Sequence, residues 1–395
     1  MNRPVLQVSA LQASPAGVGL AGFAVVGVAF GMARSCYGLT LPDIRRELGL
    51  SELVLGFIAS ASFAGYLAGL LLSGVLAARR GPRAPTTLGG MCAVIGCLLV
   101  AVAQTAPLLT VGAMLAGSAA GWVWAPYFEI VERLAPEPVR PRLLAIIATG
   151  LSAGLMLVGL LVMAAGVSGW RLAWAGVGGA AAAAVLINLR LVPLLPPRPR
   201  GTGTNDARGL LTGAVTRPLV FVTVAFAACT FYLIFAADAA RAGGLAESAG
   251  ALLYVVLGVS GLIAVWAQKA VAACGAERMA AGCLAAFGVS LGVLGTANHS
   301  LWAVLGSAVL FGSAFTTGAA VVSIWITQVF PAQPATAFTA LFVAGAISSI
   351  VTPALVGAWL TFNDLSTVLL IGAALTGVTA AFIAVPRRRE VAPGA

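Results

Sequence analysis

The stretch ELVLGFIASASFAGYLAGLLLSGVLAARRGPR, residues 52–83, decides the fold. From Leu53 to Ala78 it carries no charged side chain, and it then breaks into Arg79, Arg80, Gly81, Pro82 and Arg83. An α-helix needs about 20 apolar residues to cross the hydrocarbon core of a bilayer. This run is long enough, and its basic end marks where it leaves the membrane. Within it, Gly65 and Gly69 stand four apart, a spacing that lets two membrane helices approach closely.

The same pattern recurs down the whole chain. Its 395 residues are 60% hydrophobic and 9% charged, whereas a soluble domain carries about a quarter of its residues as charges. Twelve apolar stretches are predicted to span, at 16–40, 51–78, 84–104, 107–130, 143–166, 171–193, 217–240, 247–270, 279–297, 301–328, 335–360 and 366–385. The first is too long for a cleaved signal peptide and leads directly into a second span. The expected fold class is an all-α membrane protein of twelve transmembrane helices in two pseudo-symmetric six-helix bundles, surrounded by the lipid bilayer.

A net charge of +10 raises the question of a nucleic-acid partner, and the placement of the charges answers it. With both termini in the cytoplasm, seventeen of the 22 basic residues fall on the cytoplasmic side. Arg45, Arg46, Arg171 and Arg241 fall on the outer side, and Arg34 lies within a span. This is the positive-inside bias of a membrane protein; no nucleic-acid footprint is expected. The expected location is the bacterial cytoplasmic membrane, multi-pass, as a monomer. Of the six cysteines, five lie in spans and none has the spacing of a metal site, so no metal, cofactor or disulfide framework is expected. A nucleophile–histidine–acid set, HExxH and GxxxxGK[ST] are all missing, and the single histidine, His299, sits in a short outer loop. The chain does not read as an enzyme.

The chain divides at LPPRPRGTGTNDARG, residues 195–209, its one long polar connector. The expected domains are a six-helix bundle over 1–193, a cytoplasmic linker over 194–216, and a second bundle with a basic tail over 217–395. The halves echo one another. GVLAARRGPRAPTTLGG (74–90) has a counterpart in QKAVAACGAERMAAG (268–282), and ATGLSAGLMLVG (148–159) in AGAISSIVTPALVG (344–357). Parallel repeats with a site at their interface form a transporter architecture.

The turn GVLAARRGPR also resembles the loop-two-three signature of the major facilitator superfamily, G-x-L-A-D-R-x-G-x-R. Gly74, Leu76, Ala77, Arg79, Gly81 and Arg83 match, and Ala78 stands where the family has its aspartate. The first span, with Gly31, Arg34, Tyr37, Leu41 and Pro42, is similar to a bacterial branch labelled YbfB/YjiJ-like. It also places an arginine eight residues before a proline, as organophosphate:phosphate antiporters do. The resemblance implies alternating access around a central site lined by spans one, four, seven and ten. Ala113 stands where many proton-coupled members carry arginine, and span five lacks the proline of drug–proton antiporters.

Arg34 is the leading candidate for substrate binding. A charged group inside a membrane helix costs about 2.5–3.5 kcal/mol on insertion scales and marks function. Gly27, Gly31 and Gly38 share its helical face, and no acid lies in the same span. Its planar fork suits a carboxylate, sulfonate or phosphate. Snorkelling to the interface and glycine-mediated helix packing are the alternatives. Tyr37, Tyr66, Trp122, Trp124, Tyr127, Tyr232, Thr317 and Trp325 are further lining candidates, because an aromatic ring with one polar handle suits an amphipathic ligand. For coupling or gating, Asp238 is either a protonatable carboxylate or the partner of Arg241, three residues on. Glu129 pairs either with Arg79 or Arg83 or with Arg133. The expected function is secondary transport of a small organic anion, with protons as the candidate coupling ion. Efflux of a neutral or cationic amphiphile is the alternative.

Overall fold

A computed structural model describes residues 14–166, 169–197, 215–266, 271, 273–330 and 334–385. The polar connector over 198–214, the basic tail over 386–395, Arg3 and Lys269 lie outside these residues.

Ser14 opens the first helix by accepting from the Gly17 amide at 3.1 Å. That helix, α1, runs over Pro15–Leu48. It is followed by α2 (Glu52–Arg80), α3 (Arg83–Ala101), α4 (Ala106–Leu134), α5 (Arg140–Ala165) and α6 (Trp170–Leu191). The second set is α7 (Thr216–Ala242), α8 (Ser248–Ser260), α9 (Ala276–Thr296), α10 (Leu301–Val329), α11 (Pro334–Trp359) and α12 (Leu365–Ala384). Among the described residues, eleven of these are long and apolar enough to cross a membrane, and the shorter one is α8. Span eight was expected over 247–270; its α-helix instead ends at Ser260 and tightens into a 3₁₀ turn over Gly261–Trp266. Span one, expected to end near residue 40, continues through Pro42 to Leu48 and stops at Gly49 in the left-handed conformation. The basic turn that resembles the family signature closes α2 at Gly81, φ +83°, a backbone region that side chains with a Cβ resist.

The packing repeats with a shift of six helices. The pairs α1·α5, α2·α4, α3·α4 and α3·α6 of the first half recur as α7·α11, α8·α10, α9·α10 and α9·α12 in the second. Between halves, α2 meets α11, α5 meets α8, and α1 meets α7. On each of the first two seams a pair of glycines brings the backbones together. A Cβ on Gly56 would lie 2.5 Å from the Pro353 carbonyl oxygen, and one on Gly357 would lie 2.7 Å from that of Glu52. On the other seam a Cβ on Gly159 would lie 2.6 Å from the Ala251 oxygen, and one on Gly258 would lie 2.5 Å from the Ser152 oxygen. Without a hydrophobic drive between helices in lipid, such close backbone contact supplies the association by dispersion.

Candidate functional site at the interface of the two halves

Arg34 follows a widened turn. Residues Gly27–Ala33 form a π-helix inside α1, in which each i→i+5 turn admits one extra residue. The extra residue rotates Arg34 away from the glycine face on which regular spacing places it. Gly27 and Gly31 instead pack on Gly150 and Gly154 of α5, where a Cβ at Gly31 would lie 2.6 Å from the Gly154 Cα. Gly38 abuts the backbone of Leu233 and Ile234 in α7. The glycine concavity expected around the guanidinium is therefore absent: those glycines serve helix approach.

Aromatic rings surround Arg34 in their place. Its Cζ lies 4.7 Å from the Phe63 ring centroid, 4.8 Å from Tyr66 and 6.0 Å from Phe30. Phe63 and Tyr66 are buried. Cys229, on α7 of the other half, lies within reach of the guanidinium charge. No acceptor hydrogen-bonds Arg34 among the described residues, and its Nε is buried without a partner. A desolvated cation–π contact is worth about 2 kcal/mol, and an unpaired buried ion costs several. The rings hold the charge in place without neutralising it.

The other candidates divide. Tyr66 belongs to this cluster, and its hydroxyl has no hydrogen bond among the described residues. Trp124 joins it through Phe30, edge to face with ring centroids 6.1 Å apart. Thr317 is half-buried on α10. Four of the proposed lining residues are instead structural. Tyr37 donates to the Leu55 carbonyl at 2.8 Å, which ties α1 to α2. The Tyr127 hydroxyl donates to Asn188 Oδ1 at 2.6 Å, and Asn188 Nδ2 donates to Thr86 and Thr87, each at 3.2 Å. Tyr232 stacks on Phe311 at 3.9 Å and shares a hydrogen bond with Ser307 inside the second half. Trp325 is buried against Phe221. Trp122 is wedged between Gly69 of α2 and Gly89 of α3, its Nε1 buried and unpartnered. Sequence reading missed Phe30 and Phe63: Phe30 stands one turn before Arg34, whereas Phe63 lies in a charge-free stretch of another helix and carries no local signal.

Of the gating alternatives, the Glu129–Arg133 pair is present, and the others are not found among the described residues. Glu129 pairs with Arg133 at 3.0 Å and with neither Arg79 nor Arg83. Arg79 is exposed, and Arg83 donates to the Leu189 carbonyl at 2.7 Å, holding α3 to the end of α6. Asp238 does not pair with Arg241. It accepts from Arg45 Nη2 at 2.5 Å, across the interface of the halves. Arg241 pairs with Asp43 at 2.8 Å and Arg46 with Glu247 at 2.9 Å, both across the same interface. Arg46 also holds Asp43 at 2.9 Å, and Arg45 Nε lies 3.0 Å from Glu52. The neighbouring guanidinium groups Arg46 and Arg241 hold the Glu247 carboxyl below the usual carboxylate range. These ion pairs cap one mouth of the space between the halves.

A pseudo-symmetric twelve-helix bundle with an uncompensated cation where its halves meet is the architecture of a secondary transporter. The Major Facilitator Superfamily model matches residues 23–272. The chain belongs to the major facilitator superfamily and has that superfamily's multi-pass membrane fold. Over 192 residues it is 28% identical to the purine ribonucleoside efflux pump NepI of Escherichia coli O127:H6, covering 47% of this chain and 48% of that protein. The NepI of Shigella dysenteriae serotype 1 is 26% identical over 189 residues, covering 47% and 48%. The match thus spans about half the length of these bacterial relatives. Among solved structures, the D-xylose-proton symporter superposes with a TM-score of 0.76 at 18% identity, covering 94% of this chain and 98% of that one. The nucleoside transporter NupG superposes with a TM-score of 0.74 at 12% identity, covering 93% and 98%. At these identities the superpositions carry the fold alone.

Proposed function

We infer that this chain moves a small organic anion across the bacterial cytoplasmic membrane by alternating access, with its bundles over 1–193 and 217–395 rocking about Arg34. Both termini face the cytoplasm, so the capped mouth is the outer one and the capped state opens inward. The observation that carries the reading is Arg34, a buried guanidinium with two rings against it and no carboxylate. A carboxylate, sulfonate or phosphate ester would accept two parallel hydrogen bonds from its fork and supply the missing charge. Tyr66 and Trp124 would line the body of the ligand beside Phe30 and Phe63, and Thr317 would face it from α10. The coupling ion is the proton, and the protein works as a monomer.

A second reading has its own support: the curated relatives export purine ribonucleosides, and the aromatic cluster suits a flat neutral body. A guanidinium can also pair with the O6/N7 acceptor edge of a purine. Thermal stabilisation of purified protein separates the two, since a ligand bound only by the native state raises its stability with occupancy. Stabilisation by organic anions that is lost in Arg34→Ala, with that variant still folded, supports the first reading. Stabilisation by purine nucleosides that persists in Arg34→Ala refutes it in favour of the second.

A further inference from the structure

The capped mouth carries three arginines, Arg45, Arg46 and Arg241. Against them stand four carboxylates, Asp43, Glu52, Asp238 and Glu247. Nearby Glu47 is answered separately, by Arg171 at 2.8 Å and the Trp170 indole at 2.6 Å. The lattice therefore holds one carboxylate more than it has cations. Glu247 Oε2 is also buried without a partner, but Glu247 Oε1 accepts a hydrogen bond from Arg46 at 2.9 Å, whereas neither oxygen of Glu52 accepts one, so geometry places the surplus on Glu52. Arg45 gives its Nη2 to Asp238, while its Nε lies close to Glu52 Oε1 without hydrogen-bond alignment. Glu52 Oε2 is buried with no partner at all. The other donors around it are engaged elsewhere: Tyr37 by the Leu55 carbonyl, Arg46 and Arg241 by Asp43 and Glu247, and the Asn363 amide by the Trp359 carbonyl at 3.3 Å. From α11 and the turn that follows, the lining residues Leu360 and Asn363 bring no charge. A cavity of about 400 Å³ bounded by Arg45, Glu52, Asp238 and Arg241 gives this carboxyl a route to solvent.

We propose that Glu52 is a proton-binding site, loaded when this mouth closes and emptied when it opens. In the closed mouth Arg45 is drawn across the seam to Asp238. A proton taken from water onto Glu52 Oε2 then turns a carboxylate that shares its one nearby cation with Asp238 into a neutral acid, and the charges balance. When the halves part, Asp238 leaves with α7, three residues from Arg241, which has been released from Asp43. Arg45 and Glu52 stay on one half, joined by the short turn over 49–51. The whole charge of Arg45 then faces Glu52, which returns its proton to the outer solution. One proton moves between water and one carboxylate oxygen, and nothing else is exchanged. Closure is thus favoured by acid and opening by alkali. The inference rests on the alternating-access part of the proposed function and is indifferent to the substrate.

The test reads the mouth directly. Spin labels at Gln104→Cys and His299→Cys, exposed positions on loops of the two halves, report its width by pulsed dipolar spectroscopy in lipid nanodiscs. Cys274→Ser removes the exposed native thiol. The expected result is a long-distance population that grows as pH rises, by up to about tenfold per pH unit for a single proton. Glu52→Gln should stay closed throughout, and Glu47→Gln on the same rim should keep the wild-type response. A wild-type distribution that does not change between about pH 5 and pH 9, or a pH response that survives in Glu52→Gln, overturns the proposal. Where Glu52→Gln does not fold, Glu52→Asp should move the midpoint of the response, and an unmoved midpoint overturns it. No ligand is present, so this result and the Arg34-dependent stabilisation by anions can fail independently.

Discussion

Removing Asp238 should open the capped mouth. Its carboxylate is 10% exposed and its partner Arg45 is 30% exposed, at 2.5 Å across the seam. A surface pair contributes about 0–1 kcal/mol, and breaking a fully buried one costs about 3–5 kcal/mol. The Arg45–Asp238 pair lies between these limits, so Asp238→Ala should shift the equilibrium between closed and open mouth by about 2 kcal/mol, or roughly thirtyfold. The Arg46–Glu247 pair bridges the same halves, but its members are 53% and 33% exposed. Screening by solvent there makes the effect of Glu247→Ala much the smaller of the two. Alkylation of a cysteine placed at Ala242, which lines the cavity at the capped mouth, measures the open fraction in membranes. Labelling should accelerate strongly in Asp238→Ala and weakly in Glu247→Ala. Equal rates in both variants, or no acceleration in Asp238→Ala, would show that the ion pairs do not hold the mouth and would refute the reasoning.

Two further outcomes are expected. Asn188→Leu leaves the buried hydroxyl of Tyr127 without its acceptor and frees Thr86 and Thr87. It should cost about 2–3 kcal/mol of stability, read as a lowered unfolding temperature in detergent, with anion-induced stabilisation retained. Glu247 has a folded-state pKa below its unfolded value, chiefly because it accepts a hydrogen bond from Arg46. Its contribution is therefore fully present above about pH 4.3, the unperturbed glutamate value, and is lost as pH falls through the lower folded value. The difference in mouth closure between wild type and Glu247→Ala should be constant from neutrality down to that point and should disappear only below it.

The membrane fold was legible because hydrophobic runs and basic turns are local and repeated. The bilayer admits few other arrangements for them. Arg34 was legible for the same reason, since an ion within a span has no local explanation. Its surroundings were not, because the π turn over Gly27–Ala33 leaves no mark in composition and changes which face the arginine occupies. The pairing of Asp238 shows the same limit. Arg241 is visible three residues away, whereas Arg45 is 193 residues distant and is brought near only by the meeting of α1 and α7. Tyr127 and Asn188 are separated by 61 positions, so a ring that reads as lining is instead a strut in the first half. Aromatic residue type marks neither role, because the same ring serves packing and ligand contact.

The glycine seams between α2 and α11 and between α5 and α8 have a mechanical consequence. Two backbones that touch without intervening side chains have no knobs to unseat. They can turn against each other while staying in contact, as the plain surfaces of a bearing do. In the proposed rocking motion such a joint would guide the stroke and store little energy along it. The resting angle is then set at the ends of the molecule, where a few charges act at the longest lever arm, so small changes at the rim can reset the whole machine.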